Sequence, residues 1–135
     1  MSLPDLKKAL NNRLASLLPA LQTEWSNNQY TPKEGIPWQR ATVRLDPNLA
    51  LGLSEGSGRR WSGEYYIVLF YPRNTGSGLA DQRAQSILEH FPRGLNLVVS
   101  SMTVVCLEPS VMTGVDEPSW YRLPVKVPFF ANEMS

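Results

Sequence analysis

The predicted strand over residues 61–71 is apolar on both faces in its C-terminal half, and this constrains the fold more than any other part of the sequence. Residues on one face are Tyr65, Ile67, Leu69 and Tyr71, and those on the other are Tyr66, Val68 and Phe70. A strand that is apolar on both faces has to be covered on both sides. We therefore expect this strand in the middle of a sheet, with other parts of the chain packed on each face.

Two amphipathic helices are predicted, over residues 3–18 and 79–91. In the first, leucines recur every three or four residues and so line one helix face: Leu3, Leu6, Leu10, Leu14 and Leu17. In the second, the apolar stripe consists of Ala80, Ala84, Ile87, Leu88 and Phe91. Pro19 disfavours helical geometry at the residue before it, and Pro92 with Gly94 stops the second helix.

Three further segments have the composition and alternation of β-strands: residues 38–45, 96–107 and 120–130. The middle one is either a single strand or a short strand pair bent at Ser100–Ser101. The length of 135 residues is that of one domain. The order of elements predicts a single α+β domain over residues 1–135. We expect a mostly antiparallel or mixed sheet of about 4–5 strands, with the two helices packed on one face.

Two prolines lie four residues apart in the last predicted strand, at Pro124 and Pro128. Alternate residues of a strand point their N–H groups to opposite edges, so both prolines remove a donor from the same edge. Proline within a sheet is typical of edge strands and bulges. We therefore expect the last strand to lie at a sheet edge, with its proline side not continuously paired.

A loop is predicted over residues 46–60, and loops of this length are often functional. It carries three leucines and ends in a pair of arginines. The leucines either fold back on the core or wait for a partner protein. The candidate protein-interface residues are Leu49, Leu51, Leu53, Arg59 and Arg60.

The sheet face that points away from the helices is predicted to be basic. It carries Arg40, Arg44, Arg122 and Lys126, with Glu64 as the acidic counterweight. Such a face could meet an acidic partner or line a lumen that carries DNA. A solvated face with no partner is the more common outcome, and the sequence favours it.

The residues that usually perform catalysis are scarce. The single histidine, His90, lies near a predicted helix C-terminus, where a cation is favoured. The single cysteine, Cys106, falls in an apolar strand, where cysteine is usually an inert packing residue. No cluster has metal-ligand spacing. We therefore expect no catalytic residues, no metal and no cofactor, and a structural or binding protein instead of an enzyme.

The turn at Gly76–Gly78 leaves one alternative open, since it lies between a strand and a helix, where phosphate loops occur. No Gly-Lys-Ser/Thr follows, and Asp81 stands where the dinucleotide fingerprint has its third glycine. A role as a turn and helix start is therefore favoured over a nucleotide- or phosphate-binding role.

Charge and hydropathy give no sign of a membrane or nucleic-acid partner. The formal net charge is +1, and the N-terminus lacks the apolar stretch of a signal peptide. No apolar run is long enough to cross a bilayer. We expect a cytoplasmic protein with no membrane partner and no sequence-specific nucleic acid, unless a larger assembly carries it elsewhere.

The succession of motifs along nearly the whole chain resembles one phage family. The segments are Trp25 with Tyr30-Thr31-Pro32, Gly35-Ile36-Pro37-Trp38, Gly63-Glu64-Tyr65-Tyr66-Ile67-Val68 ending in Tyr71-Pro72, Thr75-Gly76-Ser77-Gly78 opening a helix that ends in Phe91-Pro92-Arg93-Gly94, and Trp120-Tyr121-Arg122-Leu123-Pro124-Val125. They are similar to the tail-terminator-like or tail-completion proteins of long-tailed bacteriophages and prophages, a family of minor tail proteins.

The resemblance implies a small α+β domain without catalytic residues. It also implies a ring, typically hexameric, that caps the growing tail tube and prepares head–tail joining. The implied partners are further copies of the chain, the major tail tube protein and a head–tail connector protein. The implied location is the neck end of the virion tail, after assembly in the host cytoplasm. Another head–tail connector or tail protein is the alternative within the same class.

Overall fold

A computed structural model of the protein describes residues 2–26, 28–47, 49–50, 59–74, 76–99 and 102–133. Within these ranges the chain forms two helices, α1 (Ser2–Ala15) and α2 (Gly78–His90), and nine strand segments. The strand segments are β1 (Gln22–Glu24), β2 (Trp38–Leu45), β3 (Leu49–Ala50), β4 (Arg59–Pro72), β5 (Asn96–Val99), β6 (Met102–Cys106), β7 (Ser110–Val111), β8 (Val115–Asp116) and β9 (Trp120–Glu133). The α+β prediction is confirmed.

All strand segments of the described chain belong to one mixed sheet, ordered β1-β2-β4-β9-β6-β5. The short β3 pairs with β4, and β7 and β8 pair with β9. Only the β1–β2 pairing is parallel among those described. The predicted number of strands was too low. Four segments of two or three residues are too short to show alternation. Of the two predictions for residues 96–107, the strand pair is confirmed, since β5 and β6 form an antiparallel hairpin.

The two longest strands, β4 and β9, pair along their whole length. Their antiparallel register runs from Arg59 opposite Glu133 to Pro72 opposite Trp120. The other side of β4 pairs with β2, from Trp38 opposite Phe70 to Leu45 opposite Gly63. The apolar strand therefore lies inside the sheet, as predicted.

Both helices pack on the same face of the sheet, as predicted. The side chains of one β4 face and one β9 face are buried there against α1 and α2. The largest buried side chains of this core include Tyr65, Ile67, Leu69, Phe91, Val125, Val127, Phe129 and three leucines of α1, at positions 6, 10 and 14. On the opposite face, Trp38, Val68 and Phe70 form a second, smaller cluster with Tyr30 and Trp120. This cluster is what covers the second apolar face of β4.

The first helix ends three residues earlier than predicted, at Ala15. The Ser16 hydroxyl donates to the carbonyl oxygen of Arg13 at 2.6 Å, which gives the backbone a local alternative to continued helix. Leu17 is still buried, whereas Leu18 is exposed. The leucine stripe therefore reaches the core although its last member lies beyond the helix.

The last strand does not lie at a sheet edge, so that prediction was wrong. One side of β9 pairs with β4, and the other side pairs with β6, β7 and β8 in turn. The carbonyl oxygens of Pro128 and Pro124 accept hydrogen bonds from Leu107 and Met112, so both prolines face the β6–β8 side. The pairing on the β6–β8 side of β9 is interrupted near each proline, because a proline has no N–H to donate to the neighbouring strand.

Candidate interaction surfaces

The predicted basic face is a network of ion pairs and not an open patch of positive charge. Arg44 Nη1 and Lys126 Nζ lie 3.8 and 3.2 Å from the carboxylate of Glu64. The Tyr66 hydroxyl donates to Glu64 Oε1 at 3.0 Å and accepts from Arg44 Nη1 at 3.3 Å. Burial raises the pKa of Glu64, but the bonds from Lys126 and Tyr66 and the charges of Lys126 and Arg44 outweigh it, so the pKa is lowered.

A second pair occupies the β1–β2 side of this face. Arg40 Nε donates to Glu24 Oε1 at 2.7 Å, and the guanidinium carbon lies 5.4 Å from the ring centre of Trp38. Arg122 is the one member of the predicted set that has no carboxylate partner within the described ranges. Pairing of the other three arginine and lysine side chains leaves little free charge to attract a nucleic acid.

Three aromatic side chains, those of Trp38, Phe70 and Trp120, pack together in one cluster on this sheet face. Trp38 and Phe70 stack with ring centres 4.1 Å apart, and Trp120 meets Trp38 edge-on at 6.3 Å. Trp38 is only 4% exposed, so its face cannot accept a base.

Only part of the predicted interface loop can be located. Leu49 and Ala50 form β3 and pair with Arg60 and Arg59, so these four residues lie side by side on adjacent strands. The prediction of a loop over residues 46–60 was therefore wrong for residues 49–50 and 59–60, which belong to strands, whereas residues 46–47 have no regular secondary structure. Leu51 and Leu53 lie outside the described residues.

Arg60 is held on the sheet surface by its own neighbours. Its Nε donates to Asn132 Oδ1 at 2.9 Å, and its guanidinium carbon lies 4.7 Å from the ring centre of Phe130. A planar guanidinium stacked on an aromatic ring is a preorganised contact surface. Arg60 thus remains available as an interface candidate, beside the partly exposed Phe130.

A row of exposed apolar side chains lies on residues 107–116 and was not predicted from the sequence. We call this segment the β7–β8 arm. Its members Leu107, Val111, Met112 and Val115 are between 39% and 46% exposed. Within the described chain, β7 and β8 pair on one side only, with β9. An exposed apolar row next to unpaired strand edges is typical of a protein–protein contact surface. The available signal was the presence of Val111, Met112 and Val115 between the predicted strands 96–107 and 120–130.

The turn at Gly76–Gly78 has a structural explanation. Gly76 has a φ of +79°, which favours glycine, and an added Cβ there would meet nothing within 4 Å. The backbone N–H of Asp81 already donates to the carbonyl oxygen of Ser77 at 2.8 Å. The geometry is that of a turn that starts a helix, with an acidic side chain in its first turn.

The lone histidine links the ends of the two helices. His90 Nε2 lies 2.8 Å from both the Ser16 hydroxyl and the carbonyl oxygen of Arg13, and Arg13 Nε donates to the carbonyl oxygen of His90. The Cys106 thiol is fully buried, and burial raises its pKa to about 11. The ring nitrogen is thus engaged with α1, and the thiol is an inert packing group.

Within the described residues, no three or more histidine, cysteine, aspartate or glutamate side chains are placed to hold a metal ion. The helices in those same ranges are too short and too polar to span a membrane.

Comparison with known proteins shows the fold through a solved structure and the family through a family model. A solved structure whose name states no function has a TM-score of 0.75 and 19% sequence identity, with 98% of this chain and 93% of that chain covered. That likeness shows a shared fold. No curated protein is significantly similar in sequence. The family model described as phage tail terminator protein matches residues 5–129, which is nearly the whole chain. The chain therefore belongs to the phage tail terminator family, a family of structural proteins of the virion tail.

Proposed function

We propose that this protein caps the end of the tail tube, stops tube polymerisation and provides the surface on which the head is joined. The match of the terminator family model to residues 5–129 carries this proposal. The absence of a reactive group at His90 and Cys106 agrees with it, because both side chains have packing or helix-linking roles. The site of action is the neck end of the tail, after assembly in the host cytoplasm.

The cap is proposed to be a closed ring of identical copies, six in the simplest case. A ring needs two different surfaces on each copy that fit one another. The β7–β8 arm is one candidate, because Val111, Met112 and Val115 expose apolar area beside strands that, within the described chain, pair on one side only. The second candidate lies around β3 and the start of β4, where Leu49, Arg59 and Arg60 come together. The other partners are the major tail tube protein and a head–tail connector protein.

A gene deletion in the parent phage or prophage tests the capping role. Loss of a terminator leaves tube growth unchecked, so we expect overlong tubes without heads in electron micrographs, and rescue by the gene supplied in trans. The double variant Val111→Asp and Val115→Asp should fail to rescue. Its matched control is Leu79→Asp, which places a charge on another exposed apolar residue, in the first turn of α2. Tubes of normal length after deletion would refute capping and favour a connector or another tail role.

A further inference from the structure

The β7–β8 arm lies in a stretch of the sequence that has no basic side chain. From Leu95 to Tyr121 the chain contains Glu108, Asp116 and Glu117 but no lysine, arginine or histidine, although the whole chain has a formal net charge of +1. None of these three carboxylates lies at ion-pair distance from a described cation. The exposed apolar row of the arm is thus bordered by negative charge that the described side chains do not neutralise.

The tip of the arm is held in place by its contacts with β9. The Tyr121 hydroxyl lies directly against Gly114, in the turn between β7 and β8, where a Cβ would overlap it. The backbone N–H of Glu117 donates to the carbonyl oxygen of Trp120 at 2.8 Å. A surface that is ordered before binding loses less conformational entropy when a partner docks on it. The arm therefore has the properties of a preformed contact surface.

A second exposed surface lies on the sheet face opposite the helices, and we call it the Arg60 patch. Its members stand on adjacent strands of that face, and they are Arg60, Phe130, Val105 and Val98. Val98 is 74% exposed, and the guanidinium carbon of Arg60 lies 4.7 Å from the ring centre of Phe130. Among the described side chains, no carboxylate lies at ion-pair distance from Arg60. The patch thus combines apolar area with a cation, whereas the arm combines apolar area with carboxylates.

The tip of the arm and the Arg60 patch lie at opposite ends of the β4–β9 ribbon. Asp116 stands opposite Tyr121, whereas Arg60 stands opposite Asn132, which is eleven residues further along β9. At the rise of a β-strand, this separation is roughly 36 Å. Asp116 therefore cannot reach Arg60 of its own chain. Two complementary surfaces at opposite ends of one molecule fit a head-to-tail contact between copies, which is the type of contact that a closed ring requires.

We propose that the β7–β8 arm of one copy docks on the Arg60 patch of the next copy. The apolar row of the arm packs beside Phe130 and Val98, and Asp116 pairs with Arg60 across the contact. Charge complementarity selects a second copy as the occupant, because the arginine of the patch is already held in place by Asn132 and Phe130 and faces the carboxylates of the arm. This inference rests on the proposed ring and defines which two surfaces form it.

Charge reversal on each side of the contact tests the inference. Sedimentation velocity over a series of concentrations measures the self-association of the purified full chain. Arg60→Glu and Asp116→Lys should each raise the dissociation constant by at least about tenfold. The matched controls are Arg93→Glu and Glu89→Lys, which reverse exposed charges outside both surfaces and should associate like the parent. A thermal melt of each variant checks that it is folded. A parent protein that stays monomeric at its highest soluble concentration would overturn the inference.

Mixing the two reversed variants tests the head-to-tail pairing itself. In an equimolar mixture of Arg60→Glu and Asp116→Lys, each arm again meets a patch of opposite charge. We expect association to return, with both variants present in equal numbers in each assembly by native mass spectrometry. A mixture that stays monomeric, or single variants that associate as well as the parent, would overturn the inference.

The assay of tail-tube length separates this contact from the capping role. If the parent forms rings through Arg60 and Asp116 but leaves tube length unchanged, the capping role is refuted and the contact stands. If the Arg60→Glu variant limits tube length as well as the parent does, the contact between the arm and the Arg60 patch is refuted.

Discussion

Leu107 donates its backbone N–H to the carbonyl oxygen of Pro128 at 2.8 Å, and the proline has no N–H with which to return the bond. The same one-sided bond joins Met112 to Pro124 at 2.9 Å. After each of these contacts the partner strand leaves β9 and returns with one extra residue. Four steps from Cys106 to Ser110 oppose three from Phe129 to Lys126. The prolines therefore mark two bulges that divide the partner of β9 into β6, β7 and β8.

Pro128→Ala tests this relationship. The new N–H of residue 128 faces the carbonyl oxygen of Leu107, so it should form the missing bond and exchange slowly with solvent deuterium. The free energy of unfolding should change by less than about 1 kcal/mol, because the added bond and the lost rigidity of proline oppose each other. Pro118→Ala, at an exposed bend, is the control, and its new N–H should exchange fast. Fast exchange at residue 128 would contradict the account.

Gly63 is required by the close approach of β2 to β4. A Cβ at this position would lie 2.0 Å from the carbonyl oxygen of Arg44, a backbone atom that cannot move aside without breaking the strand pair. We expect Gly63→Ala to lower the free energy of unfolding by about 2–3 kcal/mol, measured by urea denaturation. Gly78→Ala is the control, because its Cβ meets nothing within 4 Å. The control should leave stability unchanged or raise it by up to about 1 kcal/mol.

His90, which links the ends of α1 and α2, predicts that the folded protein loses stability in mild acid. Burial lowers the pKa of His90 below its ordinary 6.5, and the charges of Arg13 and Arg83 act in the same direction, against the bond to the Arg13 carbonyl. The unfolded chain then binds the proton more readily than the folded one. Stability is full above about pH 6.5 and falls as the pH drops from there through the folded-state pKa.

Urea denaturation at about pH 7.5 and 5.5 measures this loss, and His90→Gln should reduce the difference between the two pH values. The carboxyl groups of Glu24 and Glu64 have pKa values below 4.5 and so remain charged over this range. An equal pH dependence in the variant and the parent would show that His90 is not the titrating group.

Cys106 should resist thiol reagents in the folded protein. The side chain is fully buried, and the pKa raised to about 11 leaves almost no thiolate at neutral pH. We expect labelling by a thiol-specific reagent only at urea concentrations that unfold the chain, followed by mass spectrometry. Rapid labelling in buffer would mean that β6 opens without global unfolding.

Residues with clear periodicity could be placed from the sequence alone. The bounds of β2 were predicted correctly, α2 was within one residue, and the central position of β4 followed from its two apolar faces. These predictions succeed because each element is long enough to show its repeat and to bury a continuous face.

The features of the fold that the sequence analysis missed depend on pairing partners that are distant in sequence. From Pro124 and Pro128 we correctly predicted that one side of β9 is not continuously paired. The two prolines lack the same N–H donors whether that side is a free sheet edge or is paired with a bulged strand. Only the positions of Leu107 and Met112 distinguish the two cases. The β7–β8 arm was missed for a related reason, since two-residue strands exist only through their pairing with β9. The hydrogen bond from Arg83 to the carbonyl oxygen of Pro19 likewise joins residues 64 positions apart.

The capping role is tested most directly by adding the purified protein to polymerising tail tube protein and measuring tube lengths by negative-stain electron microscopy. We predict tubes that stop growing as the protein is added, each with a ring at one end, and shorter tubes at higher ratios of this protein to tube protein. The variant Val111→Asp with Val115→Asp should leave lengths near those of the untreated sample, whereas Leu79→Asp should act like the parent. A length distribution that does not respond to the unaltered protein would contradict the proposed function.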